Sequence, residues 1–331
     1  MQLRIDASGP SISLIVPCHS TERYDDLVRL VGSAESQISP IDEVIFVVQQ
    51  SVDLNGRLRT LLRTSALCRM ETLFLAGKPG VARARNAGVE RAKSDIIAFT
   101  DDDAELAPDW ALQTRRAYRE HPQMVGLAGS ILPLWDSPAM DWFPRELYWM
   151  LSCTYWDTSM AIPVRNGYGA NMSFRRSAFD DRRFDESLGV GAWATGAWRG
   201  MGGEEPELCL RLQRETGMKI LYVPEVRVWH RVRPYRLATR TITSRAYWEG
   251  RFKAMLERMA GAGEDVLGTE HAVLRMVADN SIARLGMLRS HPLLALKQQA
   301  TVTLAVTAVL CGYAEGRLRG TLDHGSGREE R

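Results

Sequence analysis

The chain has little of what marks several common protein classes. Its five cysteines (Cys18, Cys68, Cys153, Cys209 and Cys311) are odd in number, widely scattered and never spaced as CxxC. That pattern argues against a disulfide framework or a zinc site and fits a reducing compartment. No GxxxxGK[ST] sequence is present, which disfavours a P-loop nucleotide site. Neither sign of charge predominates: 42 Lys and Arg against 40 Asp and Glu leave a formal net charge of +2, so nucleic acid is not an expected partner. The first residues lack the basic-then-apolar order of a secretory signal, and a cytoplasmic location is expected. Long apolar runs are scarce. The nearest to a membrane span, 298–314, has a continuous apolar part shorter than the roughly 20 residues needed to cross a bilayer. It reads as a buried or interfacial helix. There is no internal repeat and no low-complexity tract.

What is present alternates. Ser11–Pro17, Asp42–Val48, Met70–Leu75 and Asp95–Thr100 are short, β-branched runs that read as buried strands. Between them, residues 23–37, Leu54–Leu67 and Val81–Lys93 carry apolar residues at helical spacing. This order predicts right-handed βαβ units and a parallel sheet covered on both faces. Ligands collect outside the carboxyl ends of such strands, where Ser20, Gln49, Gly77 and Asp101 fall. Further on, residues 132–156 are aromatic-rich, and Asn166–Arg176 is a Gly-rich turn running into an apolar segment. The stretch Leu188–Gly203, loaded with Gly and Trp, reads as a mobile loop. Glu204–Thr216 reads as a helix with Pro206 in its first turn, and Lys219–His230 as a strand interrupted by Pro224. From about Pro234 onward the pattern is helical.

The chemistry-bearing stretch is the end of the fourth strand, where Asp101, Asp102 and Asp103 follow one another. Three adjacent anions raise one another's pKa unless a cation or donors sit among them. The residues suit a divalent metal of the oxygen-ligand kind, or else form a solvated turn. Gly80 opens a helix carrying Arg83 and Asn86 on one face, suited to phosphates or sugar, unless these are ordinary surface arginines. Glu204 and Glu205 stand on a Gly hinge at a helix start, where any helix prefers acids. One of them could act as general base toward a hydroxyl. His230 shares strand parity with Val226 and Val228, and Arg231 and Arg233 beside it could hold a diphosphate. The tryptophans at 135–156, with Trp193 and Trp198, offer platforms for sugar rings or a lipid, or are simply core. Arg240–Arg258, interleaved with Trp248, Phe252, Met255 and Met259, could form an amphipathic face for an anionic membrane, or a docked helix with a solvated side.

Taken together, these residues resemble the GT-A fold glycosyltransferases of family 2. More narrowly, they look like the bacterial and archaeal members that build cell-surface glycans on lipid carriers. The matching pieces run in order: Ile15–Pro17, Gly80–Gly88, Ile97–Asp103, Gly169–Arg176, Gly203–Arg211 and Val223–His230. The resemblance implies an α/β fold of the Rossmann-like, mainly parallel, mixed-sheet kind with flanking helices. It implies a transferase domain over residues 1–235, with a nucleotide-sugar half at about 1–125 and an acceptor half at about 126–235, followed by a helical extension at 236–331. The donor would be a nucleotide diphosphate sugar and the acceptor a glycan or lipid-linked hydroxyl.

The resemblance also assigns roles. Asp103 and His230 would hold Mn2+ or Mg2+, and Asp101 would sit by the ribose. Asp102, Pro17, His19, Gln49, Gly80, Arg83, Asn86, Arg231 and Arg233 would surround the nucleotide sugar, with Asn171 lining the sugar and acceptor pocket. Glu205 would be the catalytic base and Glu204 would bind acceptor or sugar. Two departures stand out. Gln49 replaces the usual acidic residue that reads the base, and Glu204-Glu205 replaces Glu-Asp. The implied reaction inverts the anomeric centre. A nucleotidyltransferase using the same carboxylate–metal logic, or a catalytically silent sugar-binding protein, would share these features.

Overall fold

The computed structural model describes residues 9–67, 69–188, 202–260 and 268–325. The expected mobile segment Leu188–Gly203 therefore lies outside the described residues except for Leu188, Gly202 and Gly203, as do Trp193, Trp198 and Cys68.

The chain divides into two units, one comprising the chain to Leu134 and Ser152–Arg231, the other Trp135–Leu151 and Val232–Arg331. The first unit is built on a mixed sheet. Strands β1 (Ile12–Cys18), β2 (Glu43–Gln49), β3 (Met70–Leu75) and β4 (Ile96–Phe99) pair in parallel in the order β3-β2-β1-β4. Helices α1 (Tyr24–Glu35), α2 (Val52–Leu62) and α3 (Val81–Arg91) connect them. β1 and β2 are apolar at nearly every position because both faces are covered: Ile12, Leu14, Ile15, Ile45 and Val47 are wholly buried.

Beyond β4 the pairing turns antiparallel. β5 (Ala104–Leu106), helix α4 (Trp110–Glu120), β6 (Met124–Trp135), β7 (Ile162–Val164) and β8 (Met172–Arg175) precede helix α5 (Glu204–Thr216) and β9 (Lys219–Val232). The sheet continues β4-β8-β6-β9-β5, with β7 also on β9. β9 runs unbroken through Pro224. That residue falls between the stretch paired with β7 (Ile220–Tyr222) and the stretch paired with β5 (Val228–His230), where a missing N–H does least damage.

The second unit is helical: α6 (Thr239–Ala260), α7 (Gly268–Met287) and α8 (Pro292–Gly325). α6 and α8 touch backbone to backbone. A Cβ on Gly250 would lie 2.0 Å from the Val309 carbonyl oxygen, and one on Gly312 1.9 Å from that of Tyr247. α7 is tied down by a buried ion pair between Arg284 and Glu146, whose other oxygen accepts from Asn280 at 3.0 Å. The apolar residues of α6, Phe252 and Met255, are buried. Arg251 lies 5.0 Å over Trp248, and Arg258 donates to the Gly316 carbonyl. The Arg-rich helix is thus a docked one. The unpartnered apolar side chains stand on α7 and α8 instead, at Leu274, Ile282, Leu285, Leu293, Leu296 and Leu310. Within α8, Pro292–Leu318 is long and apolar enough to cross a membrane by length and composition, with 22% of its most apolar window buried. Counting only unbroken apolar residues misses this, because the threonines and glutamines of the helix interrupt the run without making it polar.

Candidate active site

β4 delivers the three aspartates into a tight turn. Thr100 anchors its start, its N–H on the Ile15 carbonyl and its hydroxyl on that of Ala170. The turn closes with Ala104 N–H on the Asp101 carbonyl, and Arg231 N–H reaches the Asp103 carbonyl at 3.0 Å. β5 then pairs with β9 so that Ala104 stands opposite His230. This register is why Asp103 and His230 meet: His230 Nε2 lies 3.1 Å from Asp103 Oδ1 and 3.9 Å from Asp101 Oδ2. One ligand atom from each of Asp101, Asp103 and His230 falls within 4.8 Å of the other two. Two carboxylate oxygens and an imidazole nitrogen, converging from the turn and a buried strand, fit a divalent cation. Asp101, expected by the ribose, is drawn into this same group.

Asp102 faces elsewhere. It accepts from Arg23 Nη1 at 2.5 Å, and the same nitrogen is 3.2 Å from Asp103 Oδ2. Burial pushes the Asp102 carboxyl up to about 7, against the pull of Arg23 and with the push of Asp103. Burial alone would lower Arg23, but the three aspartates outweigh it and hold the guanidinium above its ordinary value. The turn thus carries its own cation in Arg23, a residue the sequence reading passed over.

The second half of the site is organised by Arg85. α3 is buried almost all round, at Ala82, Ala84, Arg85, Asn86, Gly88 and Val89. Its guanidinium, 2% exposed, donates from Nη1 to Glu204 Oε1 at 3.0 Å and sits with Nη2 3.1 Å from Glu205 Oε1 and 4.0 Å from Asp101 Oδ1. Both glutamates come from the first turn of α5. Gly203 starts that turn at φ +127°, a conformation open to glycine and strained for other residues. Their charges suit the positive end of the helix. Glu204 is buried, its side chain 4% exposed, while that of Glu205 is 18% exposed. Burial and the neighbouring Glu205 charge push Glu204 up to about 8 despite Arg85. Among the described residues, Glu204 Oε2 and Arg85 Nε have no hydrogen-bond partner.

The sequence signal for Arg85 is indirect. Small residues at 82, 84 and 88 mean a helix pressed close on both sides, and an arginine there has to be buried and paired.

Other expected site residues are engaged by the protein itself. Gln49 Oε1 accepts from Gly80 N–H at 2.7 Å, so the departure at 49 fixes the start of α3. Arg83 donates to the carbonyls of Lys78 and Ala76, holding the turn before α3. Asn86 bonds Phe184 in both directions and also Glu186. Asn171, buried, accepts from Trp110 Nε1 and donates to the carbonyls of Ser130 and Val226. Its amide ties α4, β6 and β9 together. Pro17 is half-buried in β1 and His19 is exposed just after it. Arg231 reaches Asp26 on α1 at 3.2 Å. Arg233 belongs to the second unit.

Comparison with known proteins follows the same lines. The chain is 27% identical over 318 residues, 93% of its length and 96% of the other's, to the glucosyl-dolichyl phosphate glucuronosyltransferase of Haloferax volcanii. Among solved structures it resembles mannosyltransferase PcManGT from Pyrobaculum calidifontis, in complex with GDP-Man and Mn2+. The TM-score is 0.59 at 17% identity, covering 95% of this chain and 88% of that one. It also resembles GalNAc-T7 with UDP, GalNAc and Mn2+, with a TM-score of 0.52 at 15% identity, covering 81% and 54% of the two chains. These likenesses establish the GT-A fold. The family model of glycosyl transferase family 2 matches residues 13–183, more than half of the chain, and the protein belongs to that family.

Proposed function

We propose that the protein transfers a sugar from a nucleotide diphosphate sugar to a hydroxyl of a lipid-linked acceptor, with inversion at the anomeric carbon and with a divalent cation. The observation that carries this reading is the placement of two acidic groups on one unit. Asp101, Asp103 and His230 converge within 4.8 Å of one another, and Arg85 links that group to the glutamates: its Nη2 lies 4.0 Å from Asp101 and 3.1 Å from Glu205, and its Nη1 3.0 Å from Glu204. A metal-and-diphosphate grip opposite a carboxylate base is what a single displacement requires.

Glu205 is the base in this reading. It is the more accessible of the pair, and an acceptor hydroxyl can reach it where Glu204 is covered. Glu205 takes the proton from the acceptor hydroxyl as its oxygen bonds to the anomeric carbon. The bond from that carbon to the diphosphate breaks, and nucleoside diphosphate departs. Asp103 and His230, with Asp101 beside them, would hold the cation, which when bound would supply positive charge against the diphosphate. Arg85 keeps both glutamates aimed, and Arg23 keeps Asp102 and Asp103 from repelling one another.

The acceptor class is supported by the Haloferax volcanii relative, whose name places its substrate on dolichyl phosphate. The exposed leucines of α7 and α8 support peripheral contact with a membrane. Cys18, Cys153, Cys209 and Cys311 are all free thiols, which suits the cytoplasmic face. The test is a thermal-shift screen of nucleoside diphosphates with Mn2+ or Mg2+, since a bound ligand raises apparent stability by mass action. It is followed by transfer to polyprenyl-phosphate-linked saccharides. A metal-dependent shift with one base and release of that diphosphate supports the reading. Pyrophosphate release from a nucleoside triphosphate would replace it with nucleotidyl transfer.

A further inference from the structure

The helical unit contains a cleft that the transfer chemistry does not use. It has a volume of about 530 Å³ and is walled by Met140, Trp142, Leu237, Ile242 and Leu304, with Lys297 as the one charged group among the described lining residues. That volume lies in the range of small-ligand sites. The Trp142 wall is held in place: its carbonyl accepts from Gln298 Nε2 at 2.8 Å, and the Lys297 ammonium caps its ring at 3.7 Å. Met140 and Ile242 are buried behind the surface. The polar groups that a sugar or nucleobase would need are few. The Thr301 hydroxyl is already bonded to the Lys297 carbonyl, and none of the described residues lining the cleft is a carboxylate.

We propose that this cleft seats the polyprenyl chain of the lipid-linked acceptor. Lys297 marks the end at which the anionic phosphate lies. The proposal rests on the lipid-linked acceptor reading above and gives that acceptor a site. Two observations commit the cleft to an anionic lipid. Apolar walls with one ammonium complement an amphiphile whose only charge is negative. In addition, α8, which contributes Lys297 and Leu304, leaves Leu293 and Leu296 82% and 58% exposed within one turn of Lys297. An anionic lipid lying along α8 meets no like charge on that helix before Glu315.

The experiment uses the full chain and a polyprenyl phosphate with a photoreactive diazirine at the end of its hydrocarbon chain. Ala300, an exposed residue on the cleft wall, is changed by Ala300→Trp to fill the space, and melting temperature confirms that the variant folds. Capture on peptides containing Trp142, Leu237 or Leu304 is expected. Ala300→Trp should cut that capture at least tenfold and raise KM for a long-chain acceptor at unchanged kcat. Turnover of a two-isoprene acceptor should not change. Lys297→Ala should weaken capture of the phosphate but not of the uncharged polyprenol. Wild-type capture by Ala300→Trp, or equal competition by phosphatidylcholine, would overturn the proposal. So would active transfer with cross-links mapping elsewhere, which leaves the enzyme reading intact. Capture in the cleft by a protein that transfers to no lipid-linked acceptor would instead overturn that reading and leave a prenyl-chain seat.

Discussion

Gly169 and Arg85 fit together so closely that a single added carbon would collide. A Cβ at Gly169 would lie 1.9 Å from Arg85 Nη2 and 2.9 Å from Glu205 Oε1. The Gly-rich turn therefore forms the floor on which the guanidinium rests, and the guanidinium sets where both glutamates point. Gly169→Ala should displace Arg85 and Glu205 together while leaving the aspartate turn in place. Misplacing a reacting group by about 1 Å can cost on the order of 100-fold in rate. Steady-state kinetics should show kcat falling by that order, with nucleoside diphosphate affinity by calorimetry within a few-fold of wild type. Wild-type kcat would show that Arg85 is not a positioning residue.

Glu205→Gln keeps the shape and the Arg85 contact but removes the proton acceptor. Loss of a general base typically costs about 10²–10⁴-fold. Transfer should fall in that range with donor binding retained. The same change at Glu204 should be milder in kcat, because its buried carboxyl is pushed up to about 8 and is largely protonated at neutral pH. The reverse ranking of the two variants would move the base to Glu204.

Asp103→Ala and His230→Ala each remove one donor from the three-residue group. Both should abolish the extra thermal stabilisation that Mn2+ gives in the presence of nucleoside diphosphate. Asp102→Asn, on the Arg23 side of the turn, should retain most of it. A full Mn2+-dependent shift in Asp103→Ala would move the cation elsewhere.

Stability should depend on pH through Glu204. Its folded value of about 8 stands above the ordinary 4.5, so the folded state holds more protons between those limits. The contribution is complete below about 4.5 and disappears as pH rises through about 8. Melting temperature of the metal-free protein should therefore fall from pH 5 to pH 8, Glu204 contributing at most about 1.4 kcal/mol per pH unit. Glu204→Gln should flatten the curve, leaving the part due to Asp102 near 7. Parallel curves for the two proteins would show that Glu204 titrates normally.

Much of the donor-side architecture is legible in the residues themselves. β3 and α5 have the bounds the pattern gives, Met70–Leu75 and Glu204–Thr216, because each is a local run ended by its own breaker or cap. β6 carries two glycines and a proline, which weaken its strand pattern. In the fold, a Cβ on Gly126 would strike Phe174 and Ile220, and one on Gly129 would strike Asn171. They are there to admit neighbours, a reason that only the neighbours reveal. α4 escapes for a related cause, since its buried Thr114 and Arg115 look like solvent residues until their partners are in place.

The sequence by itself determined that three aspartates end a buried strand and that two glutamates open a helix, because alternation, apolar runs and helix-start chemistry act over a few residues. The resemblance already named Asp103 and His230 together; only the tertiary structure set Asp102 against Arg23 and drew Asp101 into the His230 group. Successive side chains of a tight turn point apart, and the pairing of Ala104 with His230 joins positions more than a hundred residues apart. The same holds for Arg85. A charge is a surface residue or the hub of a site according to what is packed around it, and that packing comes from distant parts of the chain.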